Sequence, residues 1–253
     1  MSYKSEIFKD VLDQFETEAF KNFCIDLLEA RDDLNYHIPS STSYKYHNKT
    51  QCQPGGQIYH ELMVATIMNY ILSLEYIQCK YTDPKQRDCM RIAACMHDCK
   101  KTNGGKFTVH EHPILGAEFV ETANVEHQVD PKFREYIGQL IKCHMGQWFD
   151  SKKSDVLLPK PVKDDEFLLH LCDLLGSRSN LDMIYTDEVK DLVNNNLPEE
   201  QRPDPNNWTF PFGKYKGLMF SEVLDSDKSY LLWLRDKADM EIREPLKTLL
   251  STI

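Results

Sequence analysis

The sequence lacks several features that assign a chain to a special class of protein. No apolar run approaches the roughly 20 residues of a membrane-spanning helix, and the N-terminal stretch MSYKSEIFKD has no signal-peptide core. The eight cysteines include no C-x-x-C pair, which argues against a zinc ribbon. Neither an internal repeat nor a low-complexity tract is present. We therefore expect a cytoplasmic protein with no membrane segment, whose thiols are free and mostly buried.

Basic side chains are also in deficit. The chain has 30 Lys and Arg against 40 Asp and Glu, a formal net charge of −10. This balance argues against broad, sequence-independent binding to duplex nucleic acid, because such binding depends on neutralising phosphates. It leaves room for a small anionic substrate, or a short strand end, that bound metal ions would hold.

Sustained β alternation is missing from the first 190 or so residues, and apolar residues there recur at helical spacing. Two Asp-Pro pairs have the form of a helix N-cap followed by proline at the first helical position. The predicted fold class is therefore all-α, a helical bundle. The predicted helices are one or two within 5–31, then 60–78, 84–97, 112–122, 131–144 and 164–179.

Composition divides the chain into two parts. Residues 192–207 are rich in Asn, Pro and Glu, which is typical of a linker. Residues 1–191 then form the helical domain, with N-terminal helices within 1–33 packed on it. Residues 208–253 form a small accessory module. Its glycines and aromatic residues at 208–217 predict a short hairpin, and helices follow around 229–237 and 244–250, so this appendage is α+β.

Six His and Asp residues stand at predicted helix ends or within apolar helices, where an unpaired polar side chain costs free energy. A histidine beside an aspartate offers a neutral nitrogen ligand and an anionic oxygen ligand at one helix end, as a divalent metal requires. Taken singly, each residue has the alternative of a hydrogen-bonded cap or a buried ion-pair partner. The six candidate metal ligands are His60, His97, Asp98, His112, His144 and Asp173.

The remaining histidines give weaker signals. His110 is ambiguous, because it lies two residues before His112 on the same predicted loop. Nothing in the sequence around the other four indicates that they converge on a site, so we leave them outside it. These four are His37, His47, His127 and His170.

The ordered pattern H…HD…H…H…D over residues 55–180 resembles the HD-domain phosphohydrolase superfamily. The stretch Gly55-Gly56-Gln57-Ile58-Tyr59-His60 is similar to the glycine-led first histidine of that family. Residues 97–101, HDCKK, match its HD-x-x-K element. Residues 112–118, HPILGAE, are similar to the HP-x-x-G-A-E segment of its two-metal branches. The resemblance makes the predicted bundle an HD-domain fold.

The resemblance also implies roles for these residues. One divalent metal is held by four of the candidates: His60, His97, Asp98 and Asp173. Asp98 bridges to a second metal bound by His112 and His144, and Lys101 lies near the substrate phosphate, so Asp98 and Lys101 are the predicted catalytic residues. The ligand set suits Mn²⁺, Fe²⁺, Mg²⁺, Ni²⁺ or Zn²⁺ without choosing among them.

One departure from the family pattern bears on the number of ions. Several two-metal relatives have a second histidine where this chain has Met145. If that histidine is a ligand in the relatives, the second ion is weaker or absent here. A one-metal enzyme that uses His60, His97, Asp98 and Asp173 is therefore the alternative.

The tail contains the stretch FGKYKG at 212–217 and YLLWL at 230–234, and it resembles an accessory module found beside exonuclease X-like nucleases. Lys214 and Lys216 around Tyr215 suit contact with phosphates and stacking on a base. Alternatively, Tyr215 joins Phe212 and Trp233 in the miniature core of the module. The equal numbers of basic and acidic residues in the tail favour the core.

The function expected from these features is that of a metal-dependent phosphohydrolase or phosphodiesterase. It would cleave a phosphate ester of a nucleotide, or of a nucleic-acid 3′ end, by metal-activated hydroxide. Its partners would be a nucleotide or a short single-stranded nucleic acid, with no membrane, and the sequence does not indicate an oligomeric state. The alternative is a non-catalytic, metal-containing regulatory module that uses the tail for nucleic-acid or protein contacts. The complete ligand set favours the enzyme.

Overall fold

The computed structural model describes residues 2–41, 46–105, 107–181, 183–198, 201, 208–210, 213–236, 246 and 249–250. The chain forms two compact units, residues 1–197 and residues 198–253. Each unit has a hydrophobic core of its own.

The first unit is a helical bundle, and no strand occurs in the described part of the chain, which confirms the all-α prediction. None of the described helices is long and apolar enough to cross a membrane. Three 3₁₀ turns lie at Asp33–Tyr36, Thr50–Cys52 and Gly146–Trp148. The helices are α1 Tyr3–Glu6, α2 Lys9–Leu12, α3 Glu18–Ala30, α4 Gly56–Ser73, α5 Glu75–Lys80, α6 Pro84–Met96, α7 His112–Thr122, α8 Pro131–Cys143, α9 Asp164–Gly176 and α10 Asp187–Asn195.

Helices α4 and α6 form the centre of the bundle. Every residue of α6 from Arg87 to Met96 is buried, as a helix surrounded by other helices must be. Helix α4 packs against α6 and α9, and α8 packs against α6, α7 and α9. The candidate ligands lie in or directly beside these five helices, so the packing of the bundle determines the position of the site.

The two Asp-Pro starts are present as predicted. The Asp83 carboxylate accepts the backbone N–H of Lys85 at the start of α6, and Pro84 is the first helical residue. The Asp130 carboxylate does the same for Lys132 at the start of α8. In both cases the side chain satisfies an N–H that the helix leaves without a partner.

Helix α4 begins earlier than the sequence predicted. Gly55 has a φ of 74°, a left-handed conformation that glycine adopts at little cost. A Cβ atom on Gly56 would lie 2.1 Å from the backbone oxygen of Gln51. The helix therefore begins at Gly56, and His60 lies in its second turn and not in its first.

Three other boundaries differ from the prediction. The extended backbone of Leu74 ends α4, so the predicted helix 60–78 is two helices. The N-terminal region forms three helices and not one or two. Residues 192–195, which the composition assigns to a linker, lie in α10, where Val193 is 2% exposed. A buried apolar side chain in this segment outweighs its polar composition.

The second unit has a small core that includes Phe210, Phe220, Val223 and Leu231. Its described helices are α11 Phe220–Ser226 and α12 Lys228–Asp236. Where a hairpin was predicted, the described residues form only an isolated antiparallel bridge between Thr209 and Met219. The helix predicted at 244–250 lies mostly outside the described residues, as does Phe212.

Candidate metal centre

The bundle brings the six predicted ligands together. His60 lies in α4 and Asp173 in α9, whereas His112 is the first residue of α7. His97 and Asp98 directly follow α6, and His144 directly follows α8. Five of the six are buried, and the Asp173 side chain is 15% exposed. Asp173 therefore lies on the side of the site that is more open to solvent.

The ligand atoms form two clusters, each suited to one metal ion. In the first cluster, the Nε2 atom of His60 lies 3.1 Å from Asp173 Oδ1 and 3.3 Å from His97 Nε2. In the second, the Nε2 atom of His112 lies 3.0 Å from Asp98 Oδ1 and 3.3 Å from His144 Nε2. The second cluster forms although position 145 is methionine and not the second histidine of several two-metal relatives.

Asp98 faces both clusters. Its Oδ2 atom lies 3.7 Å from His60 Nε2 and 3.6 Å from His97 Nε2. Its Oδ1 atom faces the second cluster, 3.0 Å from His112 Nε2 and 3.7 Å from His144 Nε2. One carboxylate thus presents a separate oxygen to each group of ligands, which is the arrangement of a bridging ligand.

Hydrogen bonds at Nδ1 leave three of these histidines with Nε2 directed at the clusters. In His97, His112 and His144, Nδ1 donates to a backbone carbonyl three residues earlier in the chain. In a neutral ring Nε2 then carries the lone pair, and the Nε2 atoms of His112 and His144 lie 3.3 Å apart. Two lone pairs at this distance repel unless a cation lies between them. The accepting carbonyls belong to Ala94, Val109 and Ile141, at 2.9, 2.7 and 2.8 Å.

The protonation states also suit metal binding. Burial alone would raise the pKa of Asp98, but Lys101, His97 and His112 hold this pKa well below its ordinary value. Burial, together with His97 and His112, lowers the pKa of His144 to about 3. The site therefore contains an ionised carboxylate and a neutral imidazole at neutral pH, which are the forms that bind metals.

Lys101, predicted to lie near the substrate phosphate, is at the site. Its Nζ atom lies 2.7 Å from Asp98 Oδ2 and 3.1 Å from Ser40 Oγ, and the residue is 9% exposed. The ammonium group is thus held on the bridging carboxylate, within reach of any anion bound at the two clusters.

Sequence reasoning missed His47. Its ring lies edge-on against that of His60, with ring centroids 5.1 Å apart, and its Nδ1 atom is 2.8 Å from Gln51 Oε1. Burial, His60 and Lys101 lower the pKa of His47 to about 3. No signal in the sequence marked this residue, because it lies in an irregular loop without periodicity.

Among the described residues, the other histidines lie outside both clusters. His170 donates from Nδ1 to the backbone carbonyl of His144 at 2.8 Å, so it supports the loop that carries a ligand. His127 pairs with Asp26 at the surface. Within the described residues, His37 and His110 belong to neither cluster.

In the tail, the side chain of Tyr215 contacts other residues of the same unit. The hydroxyl of Tyr215 donates to Asp227 at 2.5 Å, and its ring packs edge-on against Tyr230 with centroids 4.9 Å apart. Lys214 pairs with the same Asp227. These contacts favour the interpretation of Tyr215 as part of a miniature core, while Trp233 remains half exposed.

Comparison with protein families agrees with this geometry. The HD domain model matches residues 58–202, more than half of the chain, so the protein belongs to the HD-domain family, whose members are generally metal-dependent phosphohydrolases. A second model, the Exodeoxyribonuclease X-like C-terminal module, matches residues 210–239. Both resemblances predicted from the sequence are thereby confirmed. Searches of curated proteins and of solved structures gave no match.

Proposed function

We propose that this HD-domain protein is a metal-dependent phosphohydrolase or phosphodiesterase, acting on a nucleotide or on the 3′ end of a nucleic acid. The observation that carries the proposal is the position of Asp98, with one carboxylate oxygen toward each histidine cluster. A site that bound a single structural metal would have no use for ligands on both sides of one carboxylate.

In this proposal, His60, His97 and Asp173 would hold one divalent ion, and His112 and His144 would hold the other, with Asp98 shared between them. When bound, two such ions would supply Lewis acidity, an acidified water and neutralisation of charge on the attacked phosphate. We infer that the chain binds two ions.

The side chains of the protein contribute orientation and charge. The carbonyl partners of His97, His112 and His144 fix the ring orientations, so the ligands need little rearrangement on binding. Lys101 is positioned to stabilise negative charge on the phosphoryl oxygens. The partly exposed Asp173 marks the side from which a phosphate ester approaches.

Two observations bear on the substrate. The match of residues 210–239 to an Exodeoxyribonuclease X-like module supports a nucleic-acid end. The net charge of −10 supports a substrate with few phosphates outside the site, such as a free nucleotide. A nucleotide and a short single strand both meet this condition, and a long duplex does not.

The test is turnover of a substrate panel by the full chain, with Mn²⁺ and with chelator. The panel contains nucleoside mono- and triphosphates, cyclic nucleotides and 3′-labelled oligonucleotides, and the products are phosphate and mononucleotides. We expect metal-dependent release from at least one substrate. Absence of turnover throughout, from protein shown to contain metal, contradicts the proposal.

Asp98→Asn tests the bridge directly. Because the amide lacks the negative charge that both ions would share, we expect the loss in Mn²⁺ affinity to exceed the roughly 10–100-fold typical of outer-layer partners, with turnover lost in parallel. The readouts are calorimetric titration and the substrate assay. Asp130→Asn, which retains a helix cap outside the site, is the control, and full activity in Asp98→Asn would refute the assignment.

A further inference from the structure

A chain of buried polar groups leads from Asp98 away from the metal clusters. The Nε2 atom of Gln57 lies 3.2 Å from Asp98 Oδ2 and 3.0 Å from Glu61 Oε1. Glu61 in turn forms an ion pair with Arg31. Gln57 and Glu61 are fully buried, and Arg31 is 1% exposed. These groups touch neither the clusters' open side nor solvent, so substrate contact does not account for them.

The two carboxylates determine the orientation of the Gln57 amide. One –NH₂ group has two hydrogens, and here each can be donated to a different carboxylate. The Gln57 Oε1 atom is buried and has no hydrogen-bond partner. The opposite orientation would place this oxygen against both carboxylates, which would repel it. The amide is therefore a fixed donor to Asp98 at the cost of one unsatisfied oxygen.

Arg31 and Glu61 supply the charge that fixes this orientation. The Arg31 guanidinium lies over the ring of Tyr36, 4.2 Å from its centroid, and Nε and Nη2 have no hydrogen-bond partner. A buried ion pair is weak support for stability, because apolar side chains of the same volume often serve as well or better. A stabilising role alone therefore does not explain why charge is placed beside the ligands.

We propose that Gln57 is a positioning residue for the bridging carboxylate, itself held in place by the Glu61–Arg31 ion pair. By holding Asp98 Oδ2, Gln57 keeps Oδ1 directed at His112 and so keeps both clusters complete. Lys101 also donates to Oδ2, but its ammonium is the group expected to move toward a substrate phosphate. The hydrogen bond from the Gln57 amide to Asp98 Oδ2 remains when Lys101 moves away. This inference rests on the proposed metal centre.

Gln57→Met tests the proposal, because it keeps the length of the side chain and removes both N–H donors. We expect Mn²⁺ to bind about 10–100-fold more weakly, as is typical when an outer-layer partner of a ligand is lost. The readout is calorimetric titration with Mn²⁺ alone. The matched control is Gln139→Met, which removes an amide donor to Glu166, a carboxylate outside both clusters, and should leave the affinity unchanged.

A double-mutant cycle separates positioning from general packing. Glu61→Gln frees the amide of Gln57 to turn, so alone it should weaken Mn²⁺ binding, and in the Gln57→Met background it should add little. Strictly additive effects of the two substitutions would show that Glu61 does not act through Gln57, and would overturn the proposal. Arg31 is left unpaired in both members that carry Glu61→Gln, so this cost cancels in the coupling.

Failure of this inference can be distinguished from failure of the proposed function. If the unaltered chain binds no Mn²⁺, the metal centre itself is refuted. If it binds Mn²⁺ and a folded Gln57→Met binds equally well, only the positioning role is refuted. Should Gln57→Met not fold, Gln57→Asn withdraws the amide by one methylene group. Weaker Mn²⁺ binding by Gln57→Asn then supports the positioning role, and unchanged affinity overturns it.

Discussion

Three histidines at this site have only one ring nitrogen available to a metal ion, because the other is already hydrogen-bonded. Each donates the Nδ1 proton to a backbone carbonyl three residues earlier in the chain, so only Nε2 is left for the centre. The rings cannot exchange roles without breaking a buried hydrogen bond, which costs about 1–3 kcal/mol. Each of the three can therefore be substituted separately, because its ring hydrogen bond involves no other histidine.

His112→Ala decides between two ions and one. In our proposal His112 serves only the second cluster, so the substitution should reduce bound Mn²⁺ from two ions per chain to one, without unfolding the protein. Elemental analysis after removal of free metal gives the count. His127→Ala, at a surface histidine paired with Asp26, is the matched control. An unchanged count in His112→Ala would favour the one-metal alternative.

The sequence predicted the ligands because a polar residue within an apolar helix, such as Asp173, is costly unless it has a partner. His47 and Gln57 gave no such signal. His47 contacts Gln51 in the same loop, and the Gln51 side chain donates to the carbonyl of Gly176, which is far away in the chain. Gln57 is an ordinary helical glutamine until the fold brings Asp98 beside it. Roles that arise from tertiary contacts are not written in local spacing.

At the scale of elements, an ion-pair cluster joins the start of α3 to α6. Glu16 pairs with Arg87 and Arg91, and the Asp88 carboxylate accepts the backbone N–H of Thr17 at 2.8 Å. The hydrogen bond from Arg87 lowers the pKa of Glu16, with Arg91 adding to the effect against the opposing influence of burial. This cluster lies on α6, the helix that ends directly before His97.

Glu16→Gln tests the cluster through its pH dependence. Because the folded-state pKa is depressed, the stabilisation is present above the unfolded-state value of roughly 4.3 and is lost as pH falls through the folded value. We expect the variant to lose on the order of 1 kcal/mol at pH 7, a modest figure because Glu16 is 33% exposed. Urea unfolding at pH 7 and near pH 3 should show this difference shrinking. An equal difference at both would contradict the ionic origin.

Boundaries of elements were the least predictable feature. Helix α4 ends at Ser73 because Leu74 is extended, and leucine is not a residue type that predicts the end of a helix. The Asp-Pro starts of α6 and α8 were predictable, since the cap and the proline act within a single turn. Local chemistry thus predicts these two helix starts, whereas the break at Leu74 depends on packing.

For the whole molecule, the two units make separate contributions. Each has its own buried core, and all six candidate ligands lie within residues 1–197. A chain ending at Leu197 should therefore keep its Mn²⁺ affinity and its turnover of nucleotides within about twofold, a change of roughly 0.4 kcal/mol on the scale of 1.4 kcal/mol per tenfold. Titration and the substrate assay, run beside the full chain, provide the measurement.

The same truncation assigns a role to the tail. If oligonucleotide cleavage falls while nucleotide turnover persists, the second unit delivers strands to the site. If both fall in a folded chain, the division of labour proposed between the units is wrong. Double substitution of Lys214 and Lys216 by alanine in the full chain shows whether the exposed lysines are responsible.

The glycine-led start of α4 has a consequence for the dynamics of the centre. The amide of Gly55 is bonded to the carbonyl of His37, and that of Gln57 to Ile38, so loop and helix share their hydrogen bonds. Opening of the loop therefore breaks hydrogen bonds to Gly55 and Gln57, at the start of the helix that carries His60. A bound ion opposes this opening, because binding only the closed state stabilises that state. Hydrogen exchange of the Gly55 and Gln57 backbone amides should therefore be slow with metal bound and faster once the metal is removed.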